Sequence, residues 1–275
     1  MAIPVLGRFD EPTSIRQLTR GRGWNSELVG FLLPFARQDY IYKEYDFCET
    51  AITDDPNTDW STDDGGATSS AVFATDANAE NGTITADTGT DGDKGIALIH
   101  DSINLNANKN PGIHVVMQLD VVTELACEIG MCDALTDESL VACTDYGAAD
   151  YTIGNGLAAG VFVGCDTDTQ ATANAQNTFT LVTEGATGGA EGVILDGVTT
   201  TAVWPALAAT DFDVVVQAFE DGGYAVWDHN QVYAKGLSTG PDADQLMRYR
   251  IFTGTRDGTA VFPTIDLIRI WQNRV

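Results

Sequence analysis

The chain has 275 residues, 14 Lys+Arg against 40 Asp+Glu, a formal charge of -26, and 44% hydrophobic and 9% aromatic residues. Length and apolar content exclude a disordered chain and suit one large β-sandwich. The charge excludes nucleic acid as the main partner and disfavours an anionic membrane surface, because both are bound through cationic stripes.

No apolar run reaches the roughly 20 residues of a bilayer span. The longest, Leu28 to Ala36, is broken by Gly30 and Pro34, and no membrane association is expected. Arg8, Asp10 and Glu11 interrupt the place where a signal peptide needs its apolar core. Synthesis in a cytoplasm is the expectation. The five cysteines (Cys48, Cys127, Cys132, Cys143 and Cys165) are odd in number and irregularly spaced, so they are expected as reduced thiols. Cys127 and Cys132, five apart on one strand, point to opposite faces and make no zinc pair.

The charge divides the chain in three. Residues 1–43 carry six bases and four acids, residues 44–234 only Lys94 and Lys109 against 32 acids, and residues 235–275 again six bases and four acids. An acidic middle of this kind repels itself at low salt and is relieved as the Debye length shortens, which suits a saline setting or simple solubility. Asp91-Gly92-Asp93 and Asp166-Thr167-Asp168 are oxygen-rich, but neither continues into the spaced ligand loop that Ca²⁺ requires.

Taken in chain order, residues 1–43 form an arm. Ser14-Ile15-Arg16-Gln17 fits a capping box with Gly21 as its stop, and Asn25 or Ser26 can cap a second short helix ending before Pro34. Trp24, Leu28, Phe31, Leu32, Leu33 and Phe35 make the arm apolar enough that it must lie on its own body, a sister subunit or another protein. From residue 44 to 275 the pattern is β. Ser70 to Ala74, Gly82 to Ala86, Ile96 to His100, His114 to Val122, Leu157 to Cys165 and Thr178 to Thr183 read as strands between Gly, Asn and Asp turns. Leu135 to Cys143 reads as a short helix or excursion. Phe212 to Phe219, Tyr224 to Trp227 and Gln231 to Ala234, separated by Asp221-Gly222-Gly223 and Asp228-His229-Asn230, predict a β-meander. Leu246 to Thr253 and Ile265 to Trp271 complete an all-β, antiparallel two-sheet sandwich.

The order of these elements resembles the concanavalin A-like (laminin-G-like) jelly-roll domains of tailed-virus structural proteins. The matching features are Tyr45-Asp46-Phe47, Gly82-Thr83-Ile84, the stretch from Val115 to Gly130, the meander from Val214 to Trp227, and Ile265 to Trp271 as closing strand. The resemblance implies a jelly-roll fold and a non-enzymatic virion protein on the outer head surface, a decoration or cement protein whose N-terminal extension wedges between shell subunits. On that reading Trp24, Leu28, Phe31, Leu32 and Phe35 anchor the arm while Arg16, Arg20 and Arg22 pair with carboxylates of the major capsid protein. A homo-oligomer, most simply a trimer, is expected. A carbohydrate-binding tail or fibre module is the alternative, and behind it a laminarinase-type retaining glycoside hydrolase.

Two motif matches point instead to an enzyme. Glu44-Tyr45-Asp46-Phe47-Cys48-Glu49 matches the ExDxxE pattern of laminarinase-type retaining glycosidases, which use a similar sandwich and two closely spaced carboxyls. On a regular strand, however, Glu49 points away from Glu44 and Asp46, and in that family the motif lies inside the domain on the concave sheet. Gly236-Leu237-Ser238-Thr239-Gly240 matches a nucleophile elbow, but no His follows His229. His100, His114 and His229 lack metal-ligand spacing, and no cofactor loop is present, so neither metal nor cofactor is expected. Trp60, Trp204 and Trp227 could stack on sugars, whereas Trp271 is expected in the core.

Overall fold

The structure is a computed structural model. It describes residues 40–47, 59–64, 71–76, 82–101, 103–121, 124–133, 142–146, 151–153, 157–166, 180–184, 191–194, 211–219, 224–227, 232–236, 241 and 245–273. The arm residues named above as capsid contacts (Arg16, Arg20, Arg22, Trp24, Leu28, Phe31, Leu32 and Phe35) lie outside these.

Eighteen strands are described, and the only helical element among the described residues is a 3₁₀ turn at Ala107–Lys109. They are β1 (Tyr40–Tyr45), β2 (Trp60–Asp63), β3 (Val72–Asp76), β4 (Thr83–Asp87), β5 (Lys94–His100), β6 (Leu105–Asn106), β7 (Gly112–Gln118), β8 (Leu125–Cys132) and β9 (Cys143–Tyr146). The second half supplies β10 (Tyr151–Ile153), β11 (Gly160–Asp166), β12 (Thr180–Glu184), β13 (Glu191–Ile194), β14 (Asp211–Ala218), β15 (Tyr224–Trp227), β16 (Val232–Gly236), β17 (Leu246–Thr255) and β18 (Thr264–Asn273). The expected excursion ending at Cys143 is corrected at its end: Cys143 opens β9, paired with β10.

Two eight-stranded sheets result. Sheet A runs β16-β15-β14-β7-β18-β4-β3 with β1 also on β18, and sheet B runs β13-β12-β11-β8-β17-β5-β2 with β6 also on β17. Every pairing is antiparallel, as in a jelly-roll sandwich. The meander read from the sequence is the β14-β15-β16 edge of sheet A. The boundary drawn at residue 43 falls inside β1, whose Tyr40 to Tyr45 pair with Asn273 to Ile268.

Alternation explains the packing. Leu125, Cys127, Ile129 and Met131 of β8, Val161, Val163 and Cys165 of β11, and Met247, Tyr249 and Ile251 of β17 meet Ile113, Val115 and Met117 of β7, Val214, Val216 and Ala218 of β14, and Ile265, Ile268 and Ile270 of β18. A register shift between Ile265 and Leu267 accounts for the three-residue step from Ile265 to Ile268. It also places Trp271 on the opposite parity from Ile268 and Ile270. Trp271 is therefore corrected from core residue to the face of sheet A turned away from sheet B, while Trp60 is buried in the core.

The basic C-terminal segment folds back onto the acidic middle. Arg248 pairs with Asp101 at 3.2 Å, Arg269 with Glu44 at 2.6 Å, and Arg256 with both Asp166 and Asp93. The two Asp-rich stretches weighed for Ca²⁺ thus each contribute a carboxylate to Arg256. At one end, β1 of sheet A is clasped to β2 and β5 of sheet B. The Tyr45 hydroxyl donates to Asp59 Oδ2 at 2.8 Å, Lys43 Nζ reaches the same oxygen at 2.5 Å, and Tyr45 Oη lies 2.9 Å from His100 Nε2. With the hydroxyl proton given to Asp59, His100 Nε2–H is the donor in the last contact. Trp60 packs edge-on to His100 at 4.8 Å, and burial pushes the His100 pKa down to about 4.

Candidate functional site

The outward face of sheet B carries charge where a covered strand would be apolar. β8 is buried along its whole length, with Ala126, Glu128, Gly130 and Cys132 on the side away from the core. Glu128 is 1% exposed and Arg250 of β17 is 6% exposed. Arg250 Nη1 donates to Glu128 Oε2 at 2.6 Å, and both Glu128 oxygens accept from the Ala142 N–H, at 3.0 and 2.9 Å.

Register shows how the pair forms. Arg250 is opposite Gly130, and Glu128 is opposite Phe252, so the guanidinium crosses diagonally between β17 and β8. Gly130 has no room for a Cβ, which would strike the Val161 carbonyl and Phe162 of β11. The Arg250 guanidinium also lies over the Phe252 ring, 5.0 Å from its centroid, and its Nη2 is buried without a hydrogen-bond partner.

A second carboxyl follows directly on β8. Asp133 accepts the Ala158 N–H at 3.3 and 3.1 Å, while its own N–H donates to the Ala159 carbonyl at 3.0 Å, which fixes the β8 to β11 connection. Burial raises the Asp133 pKa, against these backbone hydrogen bonds, which lower it. Glu128 and Asp133 are five residues apart, the end-to-end spacing of the ExDxxE pattern with Gly130 at the middle position, but the unshifted register of β8 through Cys132 turns them to opposite sides.

The residues that matched that pattern in sequence are not brought together. Glu44 lies on β1, where its Oε2 accepts from Tyr42 OH at 2.8 Å and from Arg269 Nε at 2.6 Å. Asp46 is exposed beyond the strand, and Glu49 lies outside the described residues. Of the nucleophile-elbow match, Gly236 ends β16 and residues 237–240 lie outside the described set. His100 belongs to the clasp, His114 Nδ1 contacts Arg269 Nη1 at 3.4 Å, and His229 is not among the described residues. Among the described residues no group of three or more His, Cys, Asp or Glu could hold a metal ion. Glu128 was missed because it sits inside an apolar strand. Its signal was that burial itself, together with Arg250 in the facing apolar strand.

No protein-family model matches this sequence, and no curated protein matches it. Solved structures do. A protein of unknown function from Shewanella oneidensis MR-1 is 14% identical over 86% of this chain and 87% of that one, with a TM-score of 0.52. A Bacteroides ovatus mixed-linkage-glucan enzyme of glycoside hydrolase family 16 is 8% identical over 83% of this chain and 99% of that one, at 0.52. The catalytic domain of an endo-1,3-β-glucanase (laminarinase) from Thermotoga petrophila RKU-1 is 15% identical over 86% and 99%, at 0.51. These neighbours correct the expectation of a non-enzymatic virion decoration protein: the sandwich this chain shares with them is one that glucan-cleaving enzymes use, and nothing in them speaks for a virion, capsid or cement role. At such identities the likeness shows the fold, and the fold is the concanavalin A-like jelly roll.

Proposed function

We propose that this chain cleaves glycosidic bonds in an uncharged polysaccharide of the glucan class, with Glu128 as the carboxylate at the reacting centre. The observation that carries the reading is the Glu128–Arg250 pair on the middle strands of sheet B. Burying both partners of an ion pair costs several kcal/mol per ion before their attraction is counted, so the pair is a poor way to stabilise a sheet face. A carboxylate fixed in place by a guanidinium is suited to act as one of the two carboxyl groups that glycoside hydrolysis employs.

Two further observations support it. The glucan hydrolases named above share the sandwich over more than four-fifths of this chain. A formal charge of -26 repels uronic or sulfated polymers and leaves neutral glucans unopposed.

The test is release of reducing ends from soluble (1,3;1,4)-β-glucan and from (1,3)-β-glucan. Glu128→Gln, which keeps an acceptor for the Ala142 N–H, lowers release roughly a thousandfold or more. A correctly folded wild type that releases nothing from a broad panel of neutral glucans overturns the proposal.

A further inference from the structure

Glu128 is covered as well as paired. It is 1% exposed, and Ala142, itself 0% exposed, gives one N–H to both of its oxygens. A carboxylate that acts on a polymer has to meet it, so the chain that supplies this N–H has to move aside. How that chain is tied to the sandwich decides whether it does.

Ala142 directly precedes β9, and β9 pairs with β10 in a two-stranded sheet separate from sheets A and B. The strands are four and three residues long, with a register shift between Thr152 and Ile153. A two-stranded ribbon of that size is at best marginally stable by itself in water, so its place depends on what fastens it to the body.

The chain leaves and re-enters sheet B at one point. The Asp133 N–H donates to the Ala159 carbonyl at 3.0 Å, and the Ala158 N–H donates to the Asp133 carboxylate at 3.3 and 3.1 Å, which staples the base of the excursion. The β8–β11 ladder, from Cys132 opposite Gly160 to Asp166 opposite Ala126, lies wholly on the sheet side of that base. Swinging the β9–β10 hairpin about the base therefore breaks no rung of the ladder. The Ala142 N–H on Glu128 is a latch of a suitable kind: a hydrogen bond to a carboxylate is among the stronger ones, yet it is one donor, which a sugar hydroxyl replaces like for like. The Arg250 bond to Glu128 comes from β17 and is untouched by the movement.

We propose that the β9–β10 hairpin is a flap, latched by the Ala142 N–H on Glu128, which opens about the Asp133–Ala158 base so that a hydroxyl of the glucan takes the place of that N–H. The proposal rests on the reading of Glu128 as the reacting carboxylate and adds how that group is uncovered.

The experiment is residue-resolved hydrogen exchange on the full chain at pH 7, beside release of reducing ends from soluble (1,3;1,4)-β-glucan. In wild type the amides of Ala142 and of the β9–β10 ladder exchange at a common rate, roughly a hundredfold or more faster than those of Ile129 and Val163 in β8 and β11. Ala142→Pro, which deletes the latch donor, speeds exchange of the β9–β10 amides by about tenfold or more, leaves Ile129 and Val163 within about threefold, and raises release of reducing ends. The wild-type comparison decides without the variant. An Ala142 amide as slow as those of Ile129 and Val163 overturns the proposal, because the hairpin then opens only when the sandwich unfolds. An Ala142 amide that stays slow while β9 and β10 exchange fast overturns it too, because the ribbon then frays with its latch closed. Common fast exchange without release of reducing ends keeps the latch and removes the cleavage reading, whereas release with a slow Ala142 amide keeps that reading and removes the flap.

Discussion

Replacing Arg250 by Met keeps much of the stem that packs in sheet B and deletes the charge, leaving Glu128 buried without its guanidinium partner. Removing one partner of a buried pair costs about 3–5 kcal/mol, because the remaining charge is uncompensated. Both groups here are at the fully buried end of that range, with side chains 6% and 2% exposed. Against a total stability of about 5–15 kcal/mol, the variant stays folded but is severely weakened. In urea unfolding at pH 7 the midpoint moves down by roughly 1–2 M at a slope of about 2–3 kcal/mol per molar. Changing Glu128 to Gln in the same chain removes the stranded charge, so Arg250→Met/Glu128→Gln recovers much of the loss, with a coupling of about 2 kcal/mol or more. A single Arg250→Met change below about 1 kcal/mol, or a double variant as unstable as the sum of the singles, refutes a buried, coupled pair.

Other consequences follow from the same packing. His100 has a pKa near 4 in the fold against 6.5 free, so its neutral form is favoured. The unfolded chain takes up the proton first as pH falls below 6.5, stability declines until pH 4 and then levels, and the full loss is about 3 kcal/mol at 1.36 kcal/mol per pH unit. Urea titrations of wild type and His100→Gln across pH 4–7 check it; equal slopes contradict it. Gly130→Ala meets the β11 backbone and destabilises by about 1–3 kcal/mol, readable as a lower melting temperature. Burial pushes the Cys132 thiol up to about 12 and also raises those of Cys127 and Cys165, so a thiol-directed maleimide labels none of the three in the native protein and all of them in urea, by mass spectrometry.

Much of the sandwich was legible because period-two alternation and turn residues are local signals. The strands from His114 to Val122, Leu157 to Cys165 and Ile265 to Trp271 appear as β7, β11 and β18 with shifted ends. Trp271 was misplaced because alternation predicts faces only while the register is unbroken, and the shift near Ile265 is invisible in the sequence. The candidate carboxylates were misplaced for a different reason. With 40 acids in the chain, a carboxylate pattern arises by chance in an exposed strand such as β1 as easily as in a functional one. What singles out Glu128 is its burial against Arg250 on the neighbouring strand, across 122 residues of chain. The charge asymmetry likewise read as a chain with separate poles, whereas Arg248, Arg250, Arg256 and Arg269 close onto acids of the middle segment.

The most direct measurement is a crystal structure of Glu128→Gln with a mixed-linkage gluco-oligosaccharide. The sugar is expected across β11, β8 and β17 on the outward face of sheet B, with a glycosidic oxygen beside position 128. An oligosaccharide absent from that face, with Arg250 and Ala142 still closed over position 128, would contradict the assignment.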